Sequence, residues 1–207
     1  ITLALAGKPN CGKSTLYRAA TMAPAEIANY PFTTIDANRG VAYVRVPCPC
    51  SSLPARCGNC VDGIRYVPVH LIDVAGLVPE ASTGKGLGNQ FLDHLRQADA
   101  IINVIDASGG TDIEGTPDEI GSHDPLEEIP MLQTEMAMWL YGIIEKHWAR
   151  MQRQCQVKSF NMHAGLAEIL AGLSIREDHV ADAERESGIN FRTAQADDLK
   201  AFARILL

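Results

Sequence analysis

No stretch of this sequence stays apolar long enough to cross a membrane as a helix, and no basic N-terminal region leads into a cleavable apolar segment. No membrane is therefore expected among its partners, and a cytoplasmic protein is the expectation. Positive charge is in short supply as well: 18 Lys and Arg stand against 25 Asp and Glu, a formal net charge of -7. Such a chain has no overall cationic field to gather phosphate backbones, so it is a poor nonspecific nucleic-acid binder, with a local basic patch left open. Internal repeats and low-complexity tracts are absent. A disulfide framework is missing too, because four of the six cysteines crowd between Cys48 and Cys60 while Cys11 and Cys155 stand alone. That distribution points to a local metal or redox feature in a reducing compartment.

What is present suffices for one well-buried core and an inserted subdomain: 207 residues, 46% of them hydrophobic. Ile1 to Ala6 is a short apolar run ending at a glycine, which suits a buried parallel strand, and a helix is predicted from Lys13 to about Ala20. Val41–Val46 and Tyr66–Ile72 read as two strands joined by the cysteine-bearing loop, with Pro68 at an edge or strand start where its missing N–H is tolerated. Ala100–Ile105 is a further buried strand. After Ser108 the composition turns to Gly, Thr, Asp and Pro, and then to helical patterning. This divides the chain into an α/β part over 1–108 and a mainly helical insertion over 109–207. The first helix of that part opens at Asp124-Pro125-Leu126-Glu127, with a break or restart expected at Pro130. Leu132, Met136, Trp139 and Ile143 recur at helical spacing as a packing stripe. Ser174-Ile175-Arg176-Glu177 resembles a capping box for a helix stopping near Gly188, and a last helix is expected from about Ala194 to Leu207.

The chemistry concentrates in Gly7-Lys8-Pro9-Asn10-Cys11-Gly12-Lys13-Ser14-Thr15, which fits G-x-x-x-x-G-K-[ST] between a predicted strand and a predicted helix. Glycines let such a loop curl until successive backbone N–H groups point at one phosphate, Lys13 supplies charge to the β and γ oxygens, and Ser14 offers a hydroxyl to Mg²⁺. Asp73-Val74-Ala75-Gly76 follows a strand. There an aspartate can hold a Mg²⁺-bound water while the Gly76 amide reaches a γ-phosphate. Lys13, Thr34 and Gly76 are the candidate catalytic residues; Ser14, Thr34 and Asp73 are the candidate Mg²⁺ ligands.

Taken in order, Pro31-Phe32-Thr33-Thr34, Asp36-Ala37-Asn38-x-Gly40, Asp73-x-Ala75-Gly76-Leu77 and Ala81-Ser82-x-Gly84-x-Gly86-Leu87-Gly88-Asn89-Gln90-Phe91-Leu92 resemble the Obg/YchF family of GTPases. The resemblance is strong to about Ser108 and loose beyond. It implies a P-loop G domain: a mostly parallel sheet with an antiparallel edge hairpin, carrying a helical insertion and incomplete at its C-terminus. It also implies a Mg²⁺-dependent switch that hydrolyses GTP to GDP and phosphate, with the ribosome or ribosomal RNA as partner of the full-length protein. By resemblance Thr34 completes the Mg²⁺ shell, unless Thr33 and Thr34 simply begin a strand. Gly84, Gly86 and Gly88 match the second switch. Leu77 stands where Ras-like GTPases place a water-orienting glutamine. In several relatives an asparagine at the position of Asn10 helps bind K⁺, which supplies charge in place of an arginine finger; Asn10 can instead cap the turn.

Guanine is read in this superfamily by Asn-Lys-x-Asp, and no such motif occurs here, so the sequence is expected to be a fragment ending before it. Some relatives near YchF prefer ATP, which keeps an ATPase open as the second reading. A nucleotide-regulated interaction module with negligible hydrolysis is the third. Cys48, Cys50, Cys57 and Cys60 form C-x-C and C-x₂-C pairs, enough for a tetrahedral Zn²⁺ site, with free thiols or a redox pair as alternatives. Their loop joins the strands flanked by Thr34 and Asp73, so a rigid loop there would bear on both. His70, His94, His123, His147, His163 and His179 have no partners at ligand spacing and read as structural or solvated. Nothing in the sequence specifies an oligomeric state.

Overall fold

A computed structural model describes residues 1–21, 38–54, 57–81, 94–155 and 160–207. Thr34 and the glycines Gly84, Gly86 and Gly88 lie outside them. The chain divides into two compact units, Ile1–Leu77 with Asp93–Pro125, and Val78–Leu92 with Leu126–Leu207. Residues 109–125, grouped with the helical part on composition, pack with the first unit. The change of composition after Ser108 marks a loop of that unit.

The first unit is a four-stranded sheet: β1 (Thr2–Ala6), β2 (Asn38–Pro47), β3 (Ile64–Asp73) and β4 (Ala100–Asn103), with helix α1 (Lys13–Thr21) following β1. The strand order is β2-β3-β1-β4; β1 runs parallel to β3 and β4, and β2 runs antiparallel to β3. This is the expected parallel sheet with an antiparallel edge hairpin. Central strands need apolar residues on both faces, and Ala4, Leu5, Ala6 and Ile72 are all but fully buried.

Only His70–Asp73 of β3 pair with β1, so among the described strands residues 64–69 pair with β2 alone. The position of Pro68 follows. The His70 N–H donates toward β1, to the Ile1 carbonyl at 3.0 Å, and two residues earlier the same side of β3 lies beyond the start of β1. A proline there removes no ladder bond.

The second unit is built on α2 (Glu128–Cys155), a helix of 28 residues, with α3 (Met162–Leu170), α4 (Glu177–Ser187) and α5 (Ala196–Leu206). A 3₁₀ turn at Pro125–Glu127 precedes α2. Pro130 is the third residue of α2 and does not interrupt it, because first-turn N–H groups have no acceptor within the helix. Of the expected stripe Leu132 is buried, while Met136, Trp139 and Ile143 are half-buried; beyond Leu132 the buried apolar residues are Ala137, Leu140, Tyr141, Ile144, Trp148 and Met151, each next to or near an expected position. The helix is apolar on more than one side here, so spacing alone does not choose the inward face. Leu140, Ile144, Leu166, Val180, Leu199 and Phe202 form the centre of this core. Helix α4 starts after Arg176, with Ser174 two residues outside in a left-handed turn, and it ends at Gly188, whose φ is 67°.

Candidate functional site

The carboxyl ends of β1, β3 and β4 bring three loops together, the place where parallel α/β sheets put ligands. From β1 the chain runs through Gly7–Gly12 into α1. Asn10 (φ 60°) and Gly12 (φ 100°) are left-handed, so the backbone curls as the motif requires. Ser14 lies in the first turn of α1, and its hydroxyl donates to Asp73 Oδ2 at 2.7 Å. Lys13 Nζ donates to the Lys8 carbonyl at 2.6 Å.

Asp73 closes β3 and is fully buried. Its other oxygen, Oδ1, is buried with no hydrogen-bond partner among the described residues. Burial pushes the Asp73 carboxyl above its ordinary value, against the hydroxyl of Ser14, the charge of Lys13 and the side chain of Asn38, which pull it down. A buried carboxylate half satisfied by a hydroxyl is a donor set that fits Mg²⁺, a hard cation taking oxygen ligands.

The third loop follows β4, and sequence reasoning missed it. Lys8 is 2% exposed, and its Nζ donates to the Thr111 carbonyl at 2.7 Å. Its side chain therefore faces this loop, leaving its backbone to the phosphate motif. Asn10 Nδ2 donates to the Gly115 carbonyl at 2.8 Å. Pro9 is clamped: a Cβ on Gly76 would stand 2.6 Å from the Pro9 nitrogen, and one on Gly115 would stand 2.5 Å from the Pro9 carbonyl oxygen. Gly76 is thus a glycine for packing, whatever its amide also binds. Leu77 donates its N–H to the Gly7 carbonyl at 2.9 Å and its side chain is fully buried.

Two aspartates hold the loop in shape. Asp106 accepts from Ser108 N, Ser108 Oγ and Thr111 Oγ1, and Asp112 accepts from the N–H groups of Glu114 and Thr116. Although burial pushes both carboxyls up, these bonds hold them below the ordinary carboxylate range. The signal for this loop was its density of Asp, Ser, Thr and Gly directly after a strand, the composition of turns closed by side chains.

The four clustered cysteines sit at the other end of the β2–β3 hairpin. Sγ atoms lie 3.3 Å apart for Cys48 and Cys50, 3.5 Å for Cys48 and Cys57, 3.6 Å for Cys50 and Cys60, and 3.9 Å for Cys57 and Cys60. The Asn59 N–H and the Arg65 guanidinium both donate to Cys57 Sγ, and they draw that thiol down to about 6. Ten residues of β3 separate the cluster from Asp73, about 30 Å at about 3.3 Å per residue, so it touches neither phosphate motif nor Asp73.

A family model described as 50S ribosome-binding GTPase matches residues 2–136, from β1 through the loop after β4 into the first turns of α2. The chain belongs to that family. The Obg/YchF resemblance carried by the motifs is borne out among the relatives of this GTPase-family chain. It is 51% identical over 188 residues to an uncharacterized GTP-binding protein of Methanocaldococcus jannaschii, covering 89% of this chain and 47% of the relative. It is 38% identical over 160 residues to the ribosome-binding ATPase YchF of Bacillus subtilis, covering 76% and 42%. The structure of a GTP binding protein from Pyrococcus horikoshii OT3 superposes with a TM-score of 0.76 at 32% identity, over 100% of this chain and 53% of that one. The chain spans about half the length, or less, of these relatives.

The buried Asp73 has a measurable consequence. With its pKa raised in the folded state, the stability linked to its protonation is fully present below the ordinary carboxylate range and is lost as pH rises through the raised value. Asp73→Asn is expected to raise the unfolding temperature of nucleotide-free protein at pH 7, with the gain shrinking toward acid pH. The same variant is expected to remove any Mg²⁺ dependence of triphosphate binding. Calorimetric melts across pH, with and without Mg²⁺, check both.

Proposed function

We propose that this GTPase-family chain is the triphosphate-binding part of a Mg²⁺-dependent switch that hydrolyses GTP to GDP and phosphate. The observation that carries the reading is the pairing of Ser14 with a buried Asp73 whose second oxygen has no protein partner, directly beside a curled Gly7–Ser14 backbone.

In this reading the backbone N–H groups from Pro9-adjacent Asn10 to Ser14 receive a β-phosphate at the positive end of α1. Lys13 exchanges the Lys8 carbonyl for β and γ oxygens, trading a neutral acceptor for a charged one. Ser14, Asp73 and Thr34 hold Mg²⁺, which when bound neutralises charge on the β and γ oxygens. The Gly76 amide meets the γ-phosphate, so that its presence or loss is felt at the end of β3. Hydrolysis adds water to the γ-phosphorus and breaks its bond to the β–γ bridging oxygen. Because the Leu77 side chain is buried, a group other than residue 77 orients that water.

Asn10 is the proposed K⁺ residue. Its amide nitrogen is turned to Gly115, which leaves the amide oxygen as the end with cation-binding chemistry and makes the loop after β4 its positioning element. The names of relatives, one a GTP-binding protein and one a ribosome-binding ATPase, support a ribosome-linked role for the full-length cytoplasmic protein and keep ATP as the second substrate reading. No helix among the described residues is long and apolar enough to cross a membrane.

Fluorescent-nucleotide titrations test the reading. Lys13→Ala is expected to weaken triphosphate affinity roughly 100-fold or more, since charge-assisted bonds of about 1.5–3 kcal/mol to each of two oxygens are lost. Intact affinity in that variant would overturn the assignment, and tighter binding of ATP than GTP would select the ATPase reading. A second expectation concerns the monovalent ion. Replacing K⁺ by Na⁺ is expected to slow turnover of the intact protein at least roughly tenfold, about 1.4 kcal/mol of transition-state stabilisation, and Asn10→Ala to erase the difference between the two salts. Equal turnover of the unaltered protein in both salts rules K⁺ out.

A further inference from the structure

The far end of the β2–β3 hairpin needs something to hold it. Residues 64–69 of β3 have β2 as their only partner among the described strands, and Tyr43, Val44, Tyr66 and Val67 on this ribbon are exposed. A two-stranded ribbon without a covered apolar face is marginal in water. Beyond the ribbon, among the described residues from 48 to 63, only Cys48 and Cys50 are buried. The buried side chains of the described tip are therefore thiols.

The thiols are arranged for one purpose. Spaced as C-x-C-x₆-C-x₂-C, they come from two turns on opposite strands, and all four Sγ atoms lie within 4.8 Å of one another. Zn–S bonds of about 2.3 Å in tetrahedral geometry put sulfurs about 3.8 Å apart, inside the 3.3–3.9 Å range of the four close pairs to within a few tenths of an ångström. None of Cys48, Cys50, Cys57 and Cys60 is in a disulfide bond, so the cluster is not a pair of disulfides.

The surrounding bonds set each turn. The Cys48 N–H donates to the Gly63 carbonyl at 2.7 Å across the hairpin, and Ser51 donates both its N–H and its hydroxyl to the Cys48 carbonyl, fixing the first turn. In the second, the Asn59 N–H points back at Cys57 Sγ at 3.4 Å while Gly58 takes a left-handed φ of 69°. Arg65 Nη2 lies 3.5 Å from the same sulfur. Four thiolates around a divalent cation carry a net charge of -2, and a guanidinium beside one of them halves it. Uncharged thiols would gain little from either donor.

We propose that Cys48, Cys50, Cys57 and Cys60 bind one structural Zn²⁺ that cross-links the tip of the β2–β3 hairpin. All four positions are taken by protein sulfur, which closes the site to water and substrate, so the centre is structural. Its distance from Asp73 separates it from nucleotide chemistry, and the inference stands or falls independently of the proposed hydrolysis.

The test uses the whole chain, expressed and purified without chelator under reducing conditions. Elemental analysis is expected to find about one zinc per chain. After removal of metal by a strong chelator, addition of Co²⁺ alone is expected to produce the visible bands of a tetrahedral thiolate complex, and addition of Zn²⁺ to bleach them and restore the unfolding temperature. Cys57→Ser with Cys60→Ser is expected to lose the zinc while Mg²⁺-dependent nucleotide binding persists. Should the double variant fail to fold, the unaltered chain still decides: absence of zinc both as purified and after reconstitution, stoichiometric iron in its place, or Co²⁺ spectra without thiolate coordination would each overturn the proposal.

Discussion

The hydrogen bond between Ser14 and the buried carboxylate of Asp73 is the constraint on which the site depends. It joins the first turn of α1 to the last residue of β3, and so requires β1 and β3 to lie side by side in the observed register, with Leu5 opposite Asp73. A charge placed this deep is unfavourable without compensation, because burial penalises the ionised form. One oxygen accepts from Ser14, and the other, Oδ1, is buried without a hydrogen-bond partner among the described residues. A buried carboxyl left incomplete in this way offers the oxygen donors a hard cation takes, which is the role proposed for it.

Around that bond the phosphate loop is gripped from two directions. Gly76, just past Asp73, and Gly115, in the loop after β4, both approach Pro9 too closely to carry a side chain. Lys8 and Asn10 then reach out of the phosphate loop to carbonyls of the loop after β4. The conformation of the Gly7–Ser14 loop is therefore held in part by residues more than a hundred positions away in sequence, and the aspartates 106 and 112 shape that support through side-chain-closed turns. A change in the loop after β4 would reach the Gly7–Ser14 loop through Pro9 and Asn10.

Much of this was legible in the sequence where the chemistry is local. A phosphate loop must be contiguous, since successive N–H groups have to converge on one phosphate, so Gly7–Thr15 announces itself as a string of residues. Asp73 was equally visible as an aspartate closing a β-rich run, and the edge hairpin followed from two β-rich runs around a loop. The segment 109–125 was not legible as part of the site. Its contacts to Lys8 and Asn10 are made by backbone carbonyls, which no residue type reveals. The inward face of α2 was placed correctly at Leu132 and off by one position after it, because Met136 to Ile144 is apolar nearly all round, and Pro130 was harmless because it falls within the first turn, a matter of where the helix starts. The cysteines gave the ligand set, and the structure added that all four sulfurs converge at the hairpin tip, far from the phosphate motif.

The most direct test of the account is a crystal structure of this chain with Mg²⁺ and a non-hydrolysable GTP analogue. The account predicts the cation against Ser14 Oγ and the Asp73 side, the β-phosphate within the N–H groups of the Gly7–Ser14 loop, and Lys13 Nζ released from the Lys8 carbonyl onto phosphate oxygen. Phosphates bound elsewhere, or a loop that keeps Lys13 on Lys8 with the nucleotide in place, would contradict it.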